Sequence, residues 1–337
     1  MLRVIRGRLA SASLVLLAAS FFTFILSRVV PNDPALAYMG PKATAADEVR
    51  IRHLLGLDQN VLIQYFKYLR DVLRGRWGYS LSSKQPVLHE ILDRLPATLE
   101  LITWAVGVAF VAGVLFGTIS ARWPQKSFST GIRLFAIAGI SLPTFWLGLL
   151  LQIFFAGRLH WFPATGALDI GIKFTHPLHK ITGFNIVDSL LTGNWVALTS
   201  SLQHIILPAI TLSAYSFGLI SRMTRSNMLE VLNQEYIKVA RANGVKERVV
   251  LWRLALKNAI PSVITVTGLS AAYLITGTFF VETVFAWPGI GGFAANSLIS
   301  LDYPAIMGIT ILGAVGYLSI NFLVDIIYVK LDPRINL

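Results

Sequence analysis

Cysteine is missing from the chain. That excludes a disulfide framework and a thiolate metal site, though it assigns no compartment. Charge is also scarce. Only 14% of the 337 residues are Asp, Glu, Lys or Arg, against about 25% in an ordinary soluble domain. Acidic residues are the rarer sign, 17 against 29 basic, for a formal net charge of +12. No G-x-x-x-x-G-K-S/T phosphate loop occurs, so any nucleotide-driven step has to take place on another chain. No nucleic-acid-binding signature accompanies the basic balance, which therefore needs another reading.

Apolar sequence is what the chain has in quantity: 55% of it is hydrophobic. Several charge-free stretches reach the 18 or more residues that mark a transmembrane helix. Six spans are expected, at Leu9–Ser27, about Leu101–Ala121, Leu134–Ala156, His204–Ser221, Ala259–Val281 and Ile306–Val324. The first run is longer than a signal-peptide core, and the cleavage-like Ala35-Leu36-Ala37 lies beyond Pro31 and Pro34, so an uncleaved span is expected. Pro143 falls inside the third span and is expected to kink it, with neighbouring helices satisfying the freed carbonyl.

These runs divide the chain into a tail and first span (1–30), an extracytoplasmic segment (31–97) and a core (98–337). The segment 31–97 is polar, with helical spacing over Ala45–Leu55 and Leu62–Leu73. Six spans return both termini to one side. The inner segments and tail then hold sixteen of the 29 basic residues, as expected for cytoplasmic loops. Both termini are therefore placed in the cytoplasm. The fold class is an all-α integral membrane protein with six transmembrane helices.

The polar stretch 222–257 is the largest inner segment, with eight Lys or Arg against three Glu. Within it, Tyr236, Val239, Ala240 and Asn243 follow the i, i+3, i+4, i+7 spacing of one helical face. Glu235 stands in the first turn, where negative charge suits the helix dipole. Gly244 stands where a left-handed cap would end the helix. A second helical run is expected from Val245 to about Asn258, with Pro261 opening the next span. The segment reads either as a docking helix for a soluble partner or as a helix–Gly–helix hairpin on the membrane surface.

Several residues invite chemistry. His176 and His179 sit in an outer loop with a proline between them and no nearby acidic pair, more as polar loop residues than as metal ligands. His204 would need a serine within hydrogen-bond reach to act as a protease base, and no motif offers one. Glu100, Glu282 and Asp325 lie at ends of spans, as transport groups or as boundary residues. Nothing charged sits deep in a span, which argues against an ion-coupled carrier. Trp161, Phe162 and Trp195 suit interface anchors. Trp287-Pro288-Gly289 reads as a tight turn with Gly at positive φ.

Taken together, Arg222-Met223-Thr224-Arg225-Ser226-Asn227-Met228-Leu229-Glu230-Val231-Leu232, the segment 235–244 and Asn258-Ala259-Ile260-Pro261 resemble permease subunits of bacterial ABC importers. The dipeptide/oligopeptide/nickel group is the most similar. Ala240 and Gly244 fill the small-residue places of that superfamily's cytoplasmic "EAA" loop. The opening glutamate-alanine pair would fall on Lys238 and Val239, and Pro261 comes about one turn late. Supporting matches include Pro31-Asn32-Asp33-Pro34-Ala35, Leu55-Gly56-Leu57-Asp58, Gln64-Tyr65 and Pro96-Ala97-Thr98-Leu99-Glu100-Leu101. Others are Leu142-Pro143, Phe162-Pro163-Ala164-Thr165-Gly166, Ile206-Leu207-Pro208-Ala209, Glu282-Thr283-Val284-Phe285-Ala286-Trp287-Pro288-Gly289 and Leu331-Asp332-Pro333-Arg334.

The resemblance implies the type I importer architecture in a bacterial inner membrane. It implies a second homologous permease subunit, two ATP-binding subunits and an extracytoplasmic substrate-binding protein. ATP and Mg would sit on the ATPase subunits, with no cofactor on this chain, no metal, no nucleic acid and no catalytic role. Glu235, Tyr236, Val239, Ala240, Arg241 and Gly244 would then form the ATPase-docking site. Di- or oligopeptides are the expected solute and nickel the alternative within the group. A self-contained channel or secondary carrier, or an intramembrane enzyme, are the more remote readings.

Overall fold

The computed structural model describes residues 2–29, 49, 50, 52 and 58–331. Helix α1 is Leu2–Val29, α2 Val61–Leu73 and α3 Val87–Arg122; α4 is Ser127–Ser141 and α5 Thr144–Leu151, continued by widened π-type turns over Gln152–Arg158. Two short helices follow, α6 (Ile170–Thr175) and α7 (Asn185–Leu191), then the long α8 (Trp195–Leu232) and the short α9 (Glu235–Ala242). A turn at Glu247–Val249 and π-type turns over Val250–Ala255 lead into α10 (Leu256–Val284), followed by α11 (Ile290–Ile299) and α12 (Tyr303–Leu331). No strand occurs among the described residues beyond one isolated bridge between Tyr79 and Pro86. The sequence features Pro31–Ala35, Ala35-Leu36-Ala37, most of Ala45–Leu55, Leu55-Gly56-Leu57 and Asp332-Pro333-Arg334 lie outside the described residues, as does the side chain of Asp325.

Five single helices are long and apolar enough to cross a membrane, and α4 with α5 passes the same test as a bent pair. Every expected span falls on one of these elements, but the helices outrun the spans. The fourth was expected over His204–Ser221; α8 has 38 residues, about 57 Å at 1.5 Å per residue, nearly twice a hydrocarbon core of about 30 Å. Residues 222–232 are thus a rigid continuation of a span, where the sequence suggested the start of a polar loop. Pro261 lies within α10, in its second turn, instead of opening it.

The third span departs most from expectation. Pro143 does not merely kink it: α4 and α5 meet at 115°. Leu142 and Pro143 are both extended, with ψ of 135° and 128°. The residue before a proline is driven out of helical geometry, and two consecutive extended residues end one helix and start another. Both halves of the pair pack on α8. Its contacts with α8 run from Ala136 against Gly218, to Gly139 against Ala214, to Gly148 against Thr211, always toward the N-terminal end of α8. Counted as one span by length and composition, the bent pair brings the total to six.

The chain forms two compact units. Residues 1–95 with 289–316 hold a small core of Val87, Ile91, Phe293 and Ala305, with Trp77 against it. In the same unit Asp302, fully buried, accepts hydrogen bonds from Ser80 Oγ, Ser82 N and Ser82 Oγ at 2.5, 3.0 and 2.9 Å. Residues 96–288 with 317–337 carry two larger cores. One, toward the N-terminal end of α8, contains Leu101, Ile205, Leu207, Leu212, Phe285 and Trp287. The other, toward its C-terminal end, contains Phe217, Ile220, Met228, Leu232, Ile237, Val250 and Ala255.

Small residues allow this packing. Lipid tails are as apolar as leucine, so helix association relies on close van der Waals contact instead of escape from water. Gly113 and Gly117 of α3 face Ile220 and Thr224 of α8; a Cβ on Gly117 would lie 2.7 Å from the carbonyl oxygen of Ser221. On the other side, a Cβ on Gly139 would lie 2.6 Å from the carbonyl oxygen of Ala214. The G-x-x-x-G spacing of Gly113 and Gly117 is a readable signal that the charge and span analysis passed over.

Candidate functional site

Helix α9 is clamped to the body of the chain. Its buried side is a single residue, Ile237, with no exposed surface, which joins the core of Met228, Leu232, Val250 and Ala255. Two polar ties hold it further. Asn258 Nδ2 donates to Tyr236 Oη at 2.6 Å, fastening the helix to the start of α10. Arg241 donates through Nε and Nη2 to the two carboxylate oxygens of Glu247 at 3.1 and 2.8 Å. That bidentate bond, followed by the charge of the guanidinium, holds the Glu247 carboxyl below its ordinary range, although partial burial opposes it.

The end of α9 is set by its glycine. Gly244 has φ +75°, Val245 N donates to Ala240 O at 3.1 Å, and Gly244 N donates to Arg241 O at 3.0 Å. Those two bonds form the Schellman closure, with Gly in the left-handed position that other residues adopt at a cost. The expected cap is therefore present. Nothing stands within 4 Å of a Cβ built on Gly244, so conformation and not crowding selects glycine here.

The remaining surface of α9 is uncovered. Tyr236 and Val239 are 40% and 58% exposed, Ala240 is half-exposed, and Asn243 and Gly244 are exposed. Glu235 pairs with Lys238 at 2.7 Å, both open to solvent. The four residues of the expected face do share one open side. The sequence reading missed Ile237, the residue that fixes the helix to the molecule.

Elsewhere the sequence candidates take structural places. Glu100 is buried and accepts from the backbone N–H groups of Asn185 and Ile186 at 3.1 and 2.8 Å, capping α7. Glu282 is buried and accepts from Thr98 Oγ1 at 2.7 Å. Asp188, which the sequence reading passed over, is buried and gathers Ile181 N, Thr182 N, Thr182 Oγ1 and Gly183 N within 2.7 to 3.1 Å. Burial opposes its ionisation, but these four donors outweigh it and hold the carboxyl below the ordinary range. His204 Nδ1 meets the carbonyl oxygen of Ser200 at 2.8 Å and Ser200 Oγ at 3.4 Å. The same hydroxyl accepts from Asp169 N at 3.1 Å, so histidine and serine are both spent on local structure.

His176 Nδ1 lies 3.1 Å from Thr175 Oγ1 on the surface, and among the described residues no three His, Asp or Glu side chains converge. Trp161 and Trp195 are exposed and Phe162 is half-buried. The turn at 286–289 differs from expectation: positive φ falls on Ala286, at +47°, while Gly289 is extended. Trp287 explains the turn, because it is buried with its Nε1 donating to Ala97 O at 2.9 Å. Residues 163–169, Lys173, His204, Ala286 and Pro288 line a cavity of about 590 Å³ at this end of the unit.

Comparison with known proteins agrees with this architecture. The family model described as "Binding-protein-dependent transport system inner membrane component" matches residues 113–337, and the model for the N-terminal part of such components matches residues 1–102. The probable D,D-dipeptide transport system permease protein DdpB of Escherichia coli (strain K12) is 40% identical over 333 residues, covering 99% of this chain and 97% of that protein. The di/tripeptide transport system permease protein DppB of Pseudomonas aeruginosa (strain UCBPP-PA14) is 37% identical over 337 residues, 100% of this chain and 99% of that protein. The oligopeptide transport system permease protein AppB of Bacillus subtilis (strain 168) is 36% identical over 334 residues, covering 99% and 98%.

Proposed function

The chain belongs to the family of binding-protein-dependent transport system inner membrane components, and on that premise we propose that it forms half of an ATP-driven pathway for di- or oligopeptides. As a member it is a multi-pass inner-membrane permease of an ABC import system, which works with a substrate-binding protein and ATPase chains. The peptide assignment is supported by the relatives, whose names specify dipeptides, tripeptides or oligopeptides over nearly the whole length of this chain. In this reading a second, homologous permease completes the pathway and two ATPase subunits carry ATP and Mg. This chain binds no cofactor of its own and performs no chemistry.

Coupling runs through α9. The observation that carries this is its division of labour: Ile237 is locked into the core while Val239, Ala240 and Gly244 stay open. Glu235, Tyr236 and Arg241 flank that open surface. A motor closing on it would move α8 and α10 together, because Ile237 and the Asn258–Tyr236 bond tie the lever to both. The motor can bias the gate only by as much as its contacts differ between the two states.

The test is uptake by the assembled transporter in vesicles, with binding protein outside and ATP inside. Labelled dipeptide accumulates only with ATP, and a Glu or Trp at Ala240 abolishes uptake while the chain still inserts. Uptake of nickel but not of peptide would overturn the solute assignment. Unchanged uptake by the Ala240 variants would overturn the docking assignment.

A further inference from the structure

Helix α2 has three faces; among the described residues one packs on another helix, and on the charged face Lys67 Nζ donates to Gln59 Oε1 at 2.6 Å. Tyr65 and Tyr68 pack on α1. Tyr65 Oη donates to Leu17 O at 3.1 Å and lies 2.9 Å from Ser20 Oγ, while the Tyr65 and Tyr68 rings lie 5.5 and 5.7 Å from that of Phe24. About 100° round the helix, Leu62, Phe66, Leu69 and Leu73 form a stripe at i, i+4, i+7 and i+11. Leu62, Phe66 and Leu73 are 56%, 67% and 87% exposed. A further turn of similar size brings Lys67, Arg70 and Arg74, all exposed. Residues 61–76 hold four cations, with Arg76 the last, against one acid, Asp71.

The level of this helix is set by α1. Its contacts on α1 fall at Phe24, Ser20 and Leu17, about 6, 12 and 16 Å below Arg28, the charged end of an apolar window that begins at Ser11, and the deeper two are reached by the Tyr65 hydroxyl. An interfacial helix buries its apolar face about 5–10 Å into the headgroup and acyl boundary. The uncovered stripe is continuous in kind with α1, whose Leu14, Leu17, Phe22 and Leu26 are 70%, 49%, 67% and 58% exposed. Long basic side chains beside such a stripe extend their charges to the phosphates while their stems stay apolar.

We propose that α2 lies in the membrane interface at the C-terminal end of α1, with Leu62, Phe66 and Leu73 in contact with lipid tails and Lys67, Arg70 and Arg74 among the headgroups. The helix then ties the extracytoplasmic segment to the bilayer surface. That placement goes beyond the transport reading and does not depend on the solute.

The absence of cysteine gives a direct test. Single cysteines at Leu62, Phe66, Leu73, Lys67 and Arg74 are labelled with bimane in the complete transporter, reconstituted in phosphatidylcholine vesicles containing phosphatidylglycerol. The unsubstituted complex gives the background from partner chains. Labels at 62, 66 and 73 are expected to be quenched several-fold more by shallow nitroxide lipids than by iodide. Labels at 67 and 74 should show the reverse order. Iodide quenching of the 66 label would place the stripe in water, and quenching by neither agent would place it under a protein partner. Either result overturns the proposal. A label at Leu14 serves as the lipid-exposed reference and keeps the test decisive if one α2 variant fails to assemble.

Discussion

Ile237 and Gly244 do different work in the same short helix. Truncating Ile237 to Ala leaves a hole in a packed core, a change that usually costs about 2–5 kcal/mol. The expected outcome is faster amide exchange confined to 235–244, with α8 and α10 still protected. Gly244 acts through its backbone: at φ +75° a non-glycine residue costs about 1–2 kcal/mol, less for Asn. Gly244→Val is therefore expected to uncouple ATP hydrolysis from uptake, while Gly244→Asn keeps most of the coupling, as paired assays would show. The glycine was legible in the sequence because a helix stop narrows the choice of residue. Ile237 was not, because α9 has apolar residues on two sides and periodicity cannot say which side meets the chain's own core. Asp188 adds a pH dependence. Its folded pKa is depressed, so its contribution is complete above the unfolded value of about 3.9 and is lost as pH falls from there through the lower folded value. Exchange protection of 181–191 should fall in that acid window in the native protein. In Asp188→Asn it should be weaker at neutral pH and should lose the acid step.

At the level of elements, the broken pair α4 and α5 decides whether the chain crosses the membrane six times. Its first half rests on α8 through Gly139 and Gly218, where a backbone oxygen occupies the space a side chain would need. Backbone cannot swing aside, so Gly139→Val should cost about 1–3 kcal/mol. The check is the melting temperature of the purified transporter, with Gly131→Val, which has open space around it, as the neutral comparison. Pro143 was visible in the sequence and signalled a disturbance. Its size was not, since it depends on Leu142 also becoming extended and on α8 and α10 holding the second half. Span existence was legible for the opposite reason: long charge-free runs have few stable homes outside lipid. Span ends were not, because α8 continues as helix through Arg222 and Arg225 beyond the charge-free run, and helical hydrogen bonds do not require a membrane.

For the molecule as a whole, membership in a family of binding-protein-dependent transport components means that the chain works beside other chains. The short helix 235–242 and its glycine cap were readable, because helical spacing followed by a glycine stop narrows the local structure. The buried carboxylates were not, since Glu100 caps a helix far from it in sequence and Asp188 closes on a nearby turn that no spacing announces. The central claim is that the open side of α9 is where the motor sits. It is tested most directly by the reactivity of a single cysteine at Val239, 58% exposed in the chain by itself. A membrane-impermeant maleimide should label it quickly in inverted vesicles holding the permeases alone and slowly once the ATPase subunits are bound. Equal labelling in the two preparations would contradict the account.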